Sequence, residues 1–257
     1  MKRKEKVDIV KMNNGVIQEA TDEIVVEKVL SIYVNKEFYA SLMCTPDEKI
    51  ELAIGFLFAE GVISSMESIK SIIELSENLI CATLNHDLEE DFQNRKVLTS
   101  GCARGSMDLS IFEENNIKPV ESRYQYAAHD ILLMMKEFNH KSELFKQTGG
   151  VHSCAICSNN SIQFFSEDIG RHSALDKVIG KALLKNITLE DKLLMTTGRI
   201  SSDIAVKAAR AGIPIIVSHS APTDMALNIA KKTNITMIGF ARGSRMSIYC
   251  GSDRIIY

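Results

Sequence analysis

The stretch KLLMTTGRISSDIAVKAARAGIPIIV, residues 192–217, decides the fold. Lys192–Thr196 is a short apolar run that reads as a strand, Ser202–Ala211 reads as a helix, and Ile213–Val217, after Gly212, reads as a second strand. Working outward toward the C-terminus, Asp224–Lys232 is another helix, and Ile235–Phe240 and Met246–Cys250 are strands. Toward the N-terminus, His172–Leu184 is a helix. Two short strands before it turn around Ser158-Asn159-Asn160 and end in Ile162–Phe165. A helical pattern at Ala127–Phe138 leads to Gly149-Gly150. Strands alternating with helices predict a largely parallel sheet covered by helices.

The first ninety or so residues have a different rhythm, that of a small α+β lobe. Val7–Met12 alternates before the turn signal Asn13-Asn14-Gly15, and Ile24–Val34 pairs with Glu37–Met43 around Asn35-Lys36. Pro46 opens a helix to about Glu60, with Gly61 just past its end. Ile69–Leu75 and Leu79–Asn85 are further strands, and His86–Arg95 is a polar linker. The expected organisation is an N-terminal lobe at 1–95, a connection at 96–126 carrying Cys102, and an α/β lobe at 127–257.

Composition narrows the function classes. Of 257 residues, 45% are hydrophobic and 25% charged, as in an ordinary globular protein, and the net charge of -3 gives no electrostatic footprint for nucleic acid. The N-terminal MKRKEKVDIVKMNNG has no apolar run behind its basic start, so it does not read as a secretory signal. The best apolar segment, Ile50–Ala59, is too short to span a bilayer. Six dispersed cysteines do not suggest a disulfide framework. The expectation is a cytoplasmic protein with reduced thiols and no membrane or nucleic-acid partner.

Ligands of open α/β sheets bind beyond the carboxyl ends of the strands. Four loops qualify: Glu167–His172, Thr197–Arg199, Ser218–Thr223 and Ala241–Arg245. They hold Arg171, Arg199, Arg242 and Arg245, with glycines and hydroxyls between. Arginine forks match phosphate oxygens, and glycine lets backbone N–H groups approach an anion. His172 and His219 are candidates for polar contacts there, and Glu167 and Asp168 could accept bonds from a guanine edge or a ribose. Solvated loop charges would give the same pattern.

Cys102 lies in Thr99-Ser100-Gly101-Cys102-Ala103-Arg104-Gly105-Ser106. Flanking glycines give the backbone freedom and the nearby arginine favours thiolate, both useful to a sulfur carrier. A small buried residue on a loop fits the same composition. In His152-Ser153-Cys154-Ala155-Ile156-Cys157, a Cys-x-x-Cys pair suggests zinc or dithiol chemistry. On a strand, however, positions 154 and 157 face opposite sides, which favours a structural role.

Taken in order, these segments resemble the formate dehydrogenase accessory sulfurtransferase family, FdhD/NarQ. The resemblance runs from about Glu27 to the C-terminus. It takes in Thr45-Pro46, Glu51-Leu52-Ala53-x-Gly55-Phe56, Thr99–Cys102, Thr148–His152, Glu167–Gly180, Gly198–Asp203, Ser220–Asp224 and Gly239–Gly243. It implies an α/β protein with a cytidine-deaminase-like C-terminal lobe and a smaller α+β N-terminal lobe, commonly a homodimer. It also implies a sulfur carrier that takes persulfide sulfur on Cys102 from a cysteine desulfurase. That sulfur goes to molybdenum bis(molybdopterin guanine dinucleotide) before the cofactor enters formate dehydrogenase. Phe240, Ala241, Arg242, Gly243, Ser244 and Arg245 fall on the family's cofactor-binding segment. Gly198, Arg199, Ser220, Arg171 and His172 join them as candidates for a guanine nucleotide arm, and no metal site of the protein's own is expected. Where relatives often have a second cysteine, this chain has Gly105, so a single persulfide must suffice. Two rival functions are a chaperone that holds the cofactor without moving sulfur and a zinc-dependent deaminase. The deaminase needs His-x-Glu and Pro-Cys-x-x-Cys, and the sequence has neither.

Overall fold

The computed structural model describes residues 2–87 and 117–257. Cys102, its glycine and arginine neighbours and most of the expected linker lie outside the described residues. Strands β1 (Lys4–Asn13) and β2 (Val16–Val25) form a two-stranded ribbon. A four-stranded sheet follows, built from β3 (Lys28–Val34), β4 (Glu37–Cys44), β5 (Ile69–Ser76) and β6 (Leu79–Leu84) in the order β4-β3-β6-β5. Helix α1 (Lys49–Glu60) covers one face of it, where Leu30, Ile32, Leu42, Ile80 and Ala82 meet Leu52, Ala53 and Phe56.

Two expectations for this part are corrected. Ile24–Val34 is not one strand, because Ile24 and Val25 pair with β1 while Lys28 onward pairs with β4. The helix begins at Lys49 rather than at Pro46, because Thr45 is held by the second half of the chain: its N–H and Oγ1 both donate to Asp168, each at 3.1 Å.

The remaining elements are β7 (Tyr126–Ala127), α2 (Ala128–Lys141), α3 (Glu143–Thr148), β8 (His152–Ser158), β9 (Ser161–Asp168), α4 (Arg171–Leu184), β10 (Leu193–Thr196), α5 (Ser202–Arg210), β11 (Ile215–Ser218), α6 (Asp224–Lys232), β12 (Thr236–Arg242), β13 (Arg245–Cys250) and β14 (Ile255–Ile256). Six of these strands form one sheet in the order β13-β12-β11-β10-β8-β9. The expected parallel sheet is in fact mixed: only β10–β11 and β11–β12 are parallel, and the other three pairings are antiparallel. The hairpin turns at Asn159-Asn160 and Gly243-Ser244 reverse the chain at both edges.

The sheet is buried on both faces. Cys154, Ile156, Leu194, Ile216 and Met237 point to α4, α5 and α6, whereas Ala155, Cys157, Met195, Val217 and Ile238 point to α2. The two thiols of Cys154 and Cys157 therefore sit on opposite faces, as the two-residue period of a strand requires.

Two features join α1 to α4 and hold the four-stranded sheet to the six-stranded one. One is a close helix crossing at Gly55 and Gly180, taken up in the Discussion. The other is Lys177, fully buried, whose Nζ reaches Asp168 Oδ2 at 2.7 Å, Thr45 Oγ1 at 2.6 Å and Asp47 Oδ1 at 3.4 Å. Lys177→Met should destabilise the protein by about 3–5 kcal/mol, because it leaves the Asp168 carboxylate buried without its counter-charge. Denaturant unfolding measures this. Adding Asp168→Asn should recover part of the loss, and two additive losses would show that the ion pair is not the source.

Candidate functional site

The carboxyl ends of β9, β10, β11 and β12 all emerge at one edge of the sheet, and β8 begins there. The four loops singled out from the sequence are therefore neighbours. Ile200 N–H donates to Ala221 O and Thr223 N–H to Ile200 O, joining the loops after β10 and β11. Phe240 N–H donates to Ser220 O at 3.1 Å, and Arg242 Nε donates to His219 O at 3.1 Å, joining the end of β12 to the loop after β11. Phe240 holds a left-handed backbone (φ 52°) and is 44% exposed. A bulky residue in that region is uncommon and costs energy, so the surrounding hydrogen bonds must hold it there.

A cleft of about 600 Å³ opens at this edge, lined among others by Asn139, Phe145, His152, Thr197, His219 and Arg242. Of the predicted cofactor-binding residues, Arg242 lines it. Arg199, Gly243, Ser244 and Arg245 are exposed, and Ser220 lies half-buried between the Ser218 hydroxyl and Phe240. Gly198 is buried against the Arg171 side chain, which a Cβ at 198 would meet at 3.0 Å. His172 Nε2 faces Asp203 at 3.7 Å and Ser201 Oγ at 3.5 Å. Ala241 is fully buried in the core under α2, so its side chain offers nothing to a ligand.

The two acidic residues are also reassigned. Asp168 is fully buried and taken up by Lys177, Thr45 and the Gly170 N–H. Glu167 caps α3, accepting from Leu144 N–H at 3.1 Å and Phe145 N–H at 3.0 Å, with Arg3 at 3.6 Å. Neither carboxylate is left for a ribose or a base.

The structure also shows which thiols are chemically quiet. Burial pushes Cys44, Cys154 and Cys157 up to about 12 each, so all three stay protonated at neutral pH.

Comparison with known proteins places this geometry. Residues 25–256 match the FdhD/NarQ family. The chain belongs to that family. The protein named "Sulfur carrier protein FdhD" of Bacillus pumilus is 41% identical over 239 residues, covering 91% of each chain. The proteins of the same name in Listeria monocytogenes serotype 4b and Bacillus subtilis are 37% and 36% identical, covering 94% and 96% of both chains respectively. The crystal structure of a protein described as a formate dehydrogenase accessory protein from Desulfotalea psychrophila superposes with a TM-score of 0.84. It is 29% identical and covers 99% of this chain and 100% of its own.

In this FdhD/NarQ member, Asn139, Ser142 and Phe145 line the cleft without having been singled out from the sequence. They come from α2, α3 and the corner between them, which pack over the edge of the sheet, and no local pattern marks them. Gly149, Gly150 and His152 had a signal, since they lie in the Thr148–His152 segment that carries the resemblance.

The two cleft histidines make a pH prediction. Burial, and next Arg171, lowers the His152 pKa from its ordinary value of about 6.5, and burial, and next Arg242, lowers that of His219. Both are neutral at pH 7. Below pH 6.5 the unfolded chain protonates them while the folded chain resists, so the unfolded state binds more protons. Stability should therefore fall as pH drops from about 6.5 toward the lowered folded values. The loss of melting temperature between pH 7.5 and 5.5 should shrink in the His152→Gln/His219→Gln double variant. Equal losses would show that these imidazoles titrate normally.

Proposed function

We propose that this chain is a sulfur carrier for formate dehydrogenase maturation, acting as a sulfurtransferase through a persulfide on Cys102. The observation that carries the reading is the family match over residues 25–256, which spans Cys102, together with relatives named sulfur carrier protein over more than nine-tenths of the chain. The buried state of Cys44, Cys154 and Cys157 supports it, because none of these thiols can present a thiolate to a partner enzyme.

In the first step the Cys102 thiolate attacks the outer sulfur of a desulfurase cysteine persulfide. A new S–S bond forms on Cys102, and the desulfurase cysteine leaves as thiolate. In the second step the outer sulfur passes to the molybdenum of the client, molybdenum bis(molybdopterin guanine dinucleotide). The S–S bonding pair returns to Cys102, and the two electrons that make the sulfur sulfide come from the client metal or an external thiol. Cys102 is fifteen residues from Asp87 and fifteen from Ile117, the nearest described residues on either side.

The rim supports the client's identity. A cleft of about 600 Å³ suits one nucleotide-sized group. Arg242 at its edge, with Arg199 and Arg245 exposed on the loops beside it, suits phosphate. The helix–strand–strand–helix–strand order from α3 through β10 supports a cytidine-deaminase-like architecture. Cys154 and Cys157, on opposite faces of β8, do not form the thiolate pair of a zinc deaminase. The cytoplasm as the site of action and a homodimer as the working form belong to the same proposal. None of the described helices is long and apolar enough to cross a membrane.

The test is incubation with a cysteine desulfurase and cysteine, followed by mass analysis of the peptide containing Cys102. The expected result is a gain of one sulfur atom on that peptide. An unmodified peptide, with nucleotide still bound, would leave only the cofactor-holding role.

A further inference from the structure

His152 stands at the start of β8, half-buried on the wall of the cleft, and no family-binding segment includes it. Its Nδ1 lies 3.2 Å from Thr197 Oγ1. The same oxygen accepts from the Ser153 N–H at 3.0 Å. A threonine hydroxyl has one proton to donate. With the Ser153 N–H on one lone pair, the hydroxyl keeps its proton and a second lone pair, so it can donate to Nδ1 or accept from it. In the tautomer in which Nδ1 accepts, the ring proton sits on Nε2. Nε2 itself has no protein partner among the described residues. In that tautomer His152 presents an uncharged N–H donor to the cleft, and a ligand made of acceptors is what favours it.

The rest of the lining fits a ligand made of acceptors. Arg242 commits only Nε to the protein, at His219 O, and its Nη groups have no hydrogen-bond partner among the described residues. Among the described residues no carboxylate lines the cleft, and Glu167 and Asp168 beside it are turned inward on α3 and Lys177. An amine or a metal cation would meet donors here, whereas a phosphate oxygen would meet what it needs. Resting on the reading that the cleft takes a nucleotide arm, we propose that His152 Nε2–H donates to a phosphate oxygen of a nucleoside diphosphate held in the cleft, with Arg242 supplying the charge. The imidazole contributes direction, which Thr197 sets, while the guanidinium contributes attraction.

Histidine has two conservative replacements that separate these roles. Glutamine places an amide nitrogen where Nε2 lies, and asparagine places one where Nδ1 lies. The experiment is calorimetric titration of the full chain with GDP, and with inorganic pyrophosphate as a second probe. His152→Ala should weaken both about tenfold to a hundredfold. His152→Gln should stay within about threefold of the unsubstituted protein, and His152→Asn, which keeps the Thr197 contact, should bind as poorly as alanine. Wild-type affinity in His152→Ala would overturn the proposal. So would rescue by asparagine and not glutamine, since the ring would then act only through Thr197. If the unsubstituted chain binds neither probe, this inference falls together with the nucleotide reading of the cleft. Sulfur loading of Cys102 is measured separately and would stand or fall by itself.

Discussion

Cys102→Ala is expected to reduce formate dehydrogenase maturation to background while leaving the fold intact. The expectation follows from the chemistry of transfer. A carrier needs a thiolate that can reach two partners, and a serine or alanine at that position has no sulfur to bond to. Of the five described cysteines, Cys81 is half-buried on β6, and the other four are held by burial or by a hydrogen bond. Cys44 is buried beside Asp168, and burial and then that charge hold its thiol near 12. Cys154 donates to Thr196 Oγ1 within the core, and Cys157 is under α2 on the other face of the sheet. Burial also raises the Cys250 thiol, which donates to Ile235 O at 3.2 Å. Complementation of a strain lacking its own carrier measures the effect through formate dehydrogenase activity. Cys154→Ala is the control, expected to lose some stability from its cavity and to keep sulfur transfer. Activity that survives Cys102→Ala would remove the carrier role from this thiol. The sequence has no other cysteine between Cys81 and Cys154, which makes the test sharper, since no adjacent thiol is there to take the sulfur.

The convergence of the four rim loops was legible in the sequence because it follows from connectivity. Strand, helix and parallel strand put successive carboxyl ends at one edge, and that rule needs no knowledge of side-chain contacts. The turns at Asn14-Gly15 and Asn159-Asn160 were legible too, since each needs the left-handed backbone that asparagine and glycine tolerate, and Asn35 takes it beside Lys36. Pairing direction was not. The apolar run in β8 identifies a strand but not its neighbour, and β8 inserts antiparallel beside β10 instead of continuing a parallel sheet. Glu167 and Asp168 show the limit most clearly. They were read as the start of a loop but are the last two residues of β9, and their partners come from α3, α4 and the Thr45 segment, over a hundred residues away in the last case. Local sequence places a carboxylate at an edge, and only packing decides whether it faces a ligand or a lysine.

Gly180→Ala is expected to be among the most destabilising single-methyl additions in the molecule, with Gly55→Ala its equal. Helices α1 and α4 cross with these glycines set against each other's backbones. A Cβ at Gly180 would lie 1.9 Å from Glu51 O, and a Cβ at Gly55 would lie 1.8 Å from Asp176 O. Neither obstacle is a side chain that can rotate away. The helices would have to separate by more than an ångström, and that separation reaches both cores. Phe58 of α1 and Leu183 of α4, which each pack against both cores, would lose contacts with one of them, and the Lys177 cluster at the same junction would stretch its contact with Thr45. Overpacking usually costs 1–3 kcal/mol, and a clash with rigid backbone at this distance should cost about 3 kcal/mol or more. That is a large share of a typical folding free energy of about 5–15 kcal/mol. Better intrinsic helix propensity returns only about 1 kcal/mol to each alanine variant. The Gly55→Ala/Gly180→Ala double variant should lose clearly less than the sum of the two single losses, since one separation of the helices relieves both clashes. Chemical denaturation measures all three. Single losses below about 1 kcal/mol, or strict additivity, would show that the crossing is loose and that the two halves of the chain are held together chiefly by Lys177 and its partners.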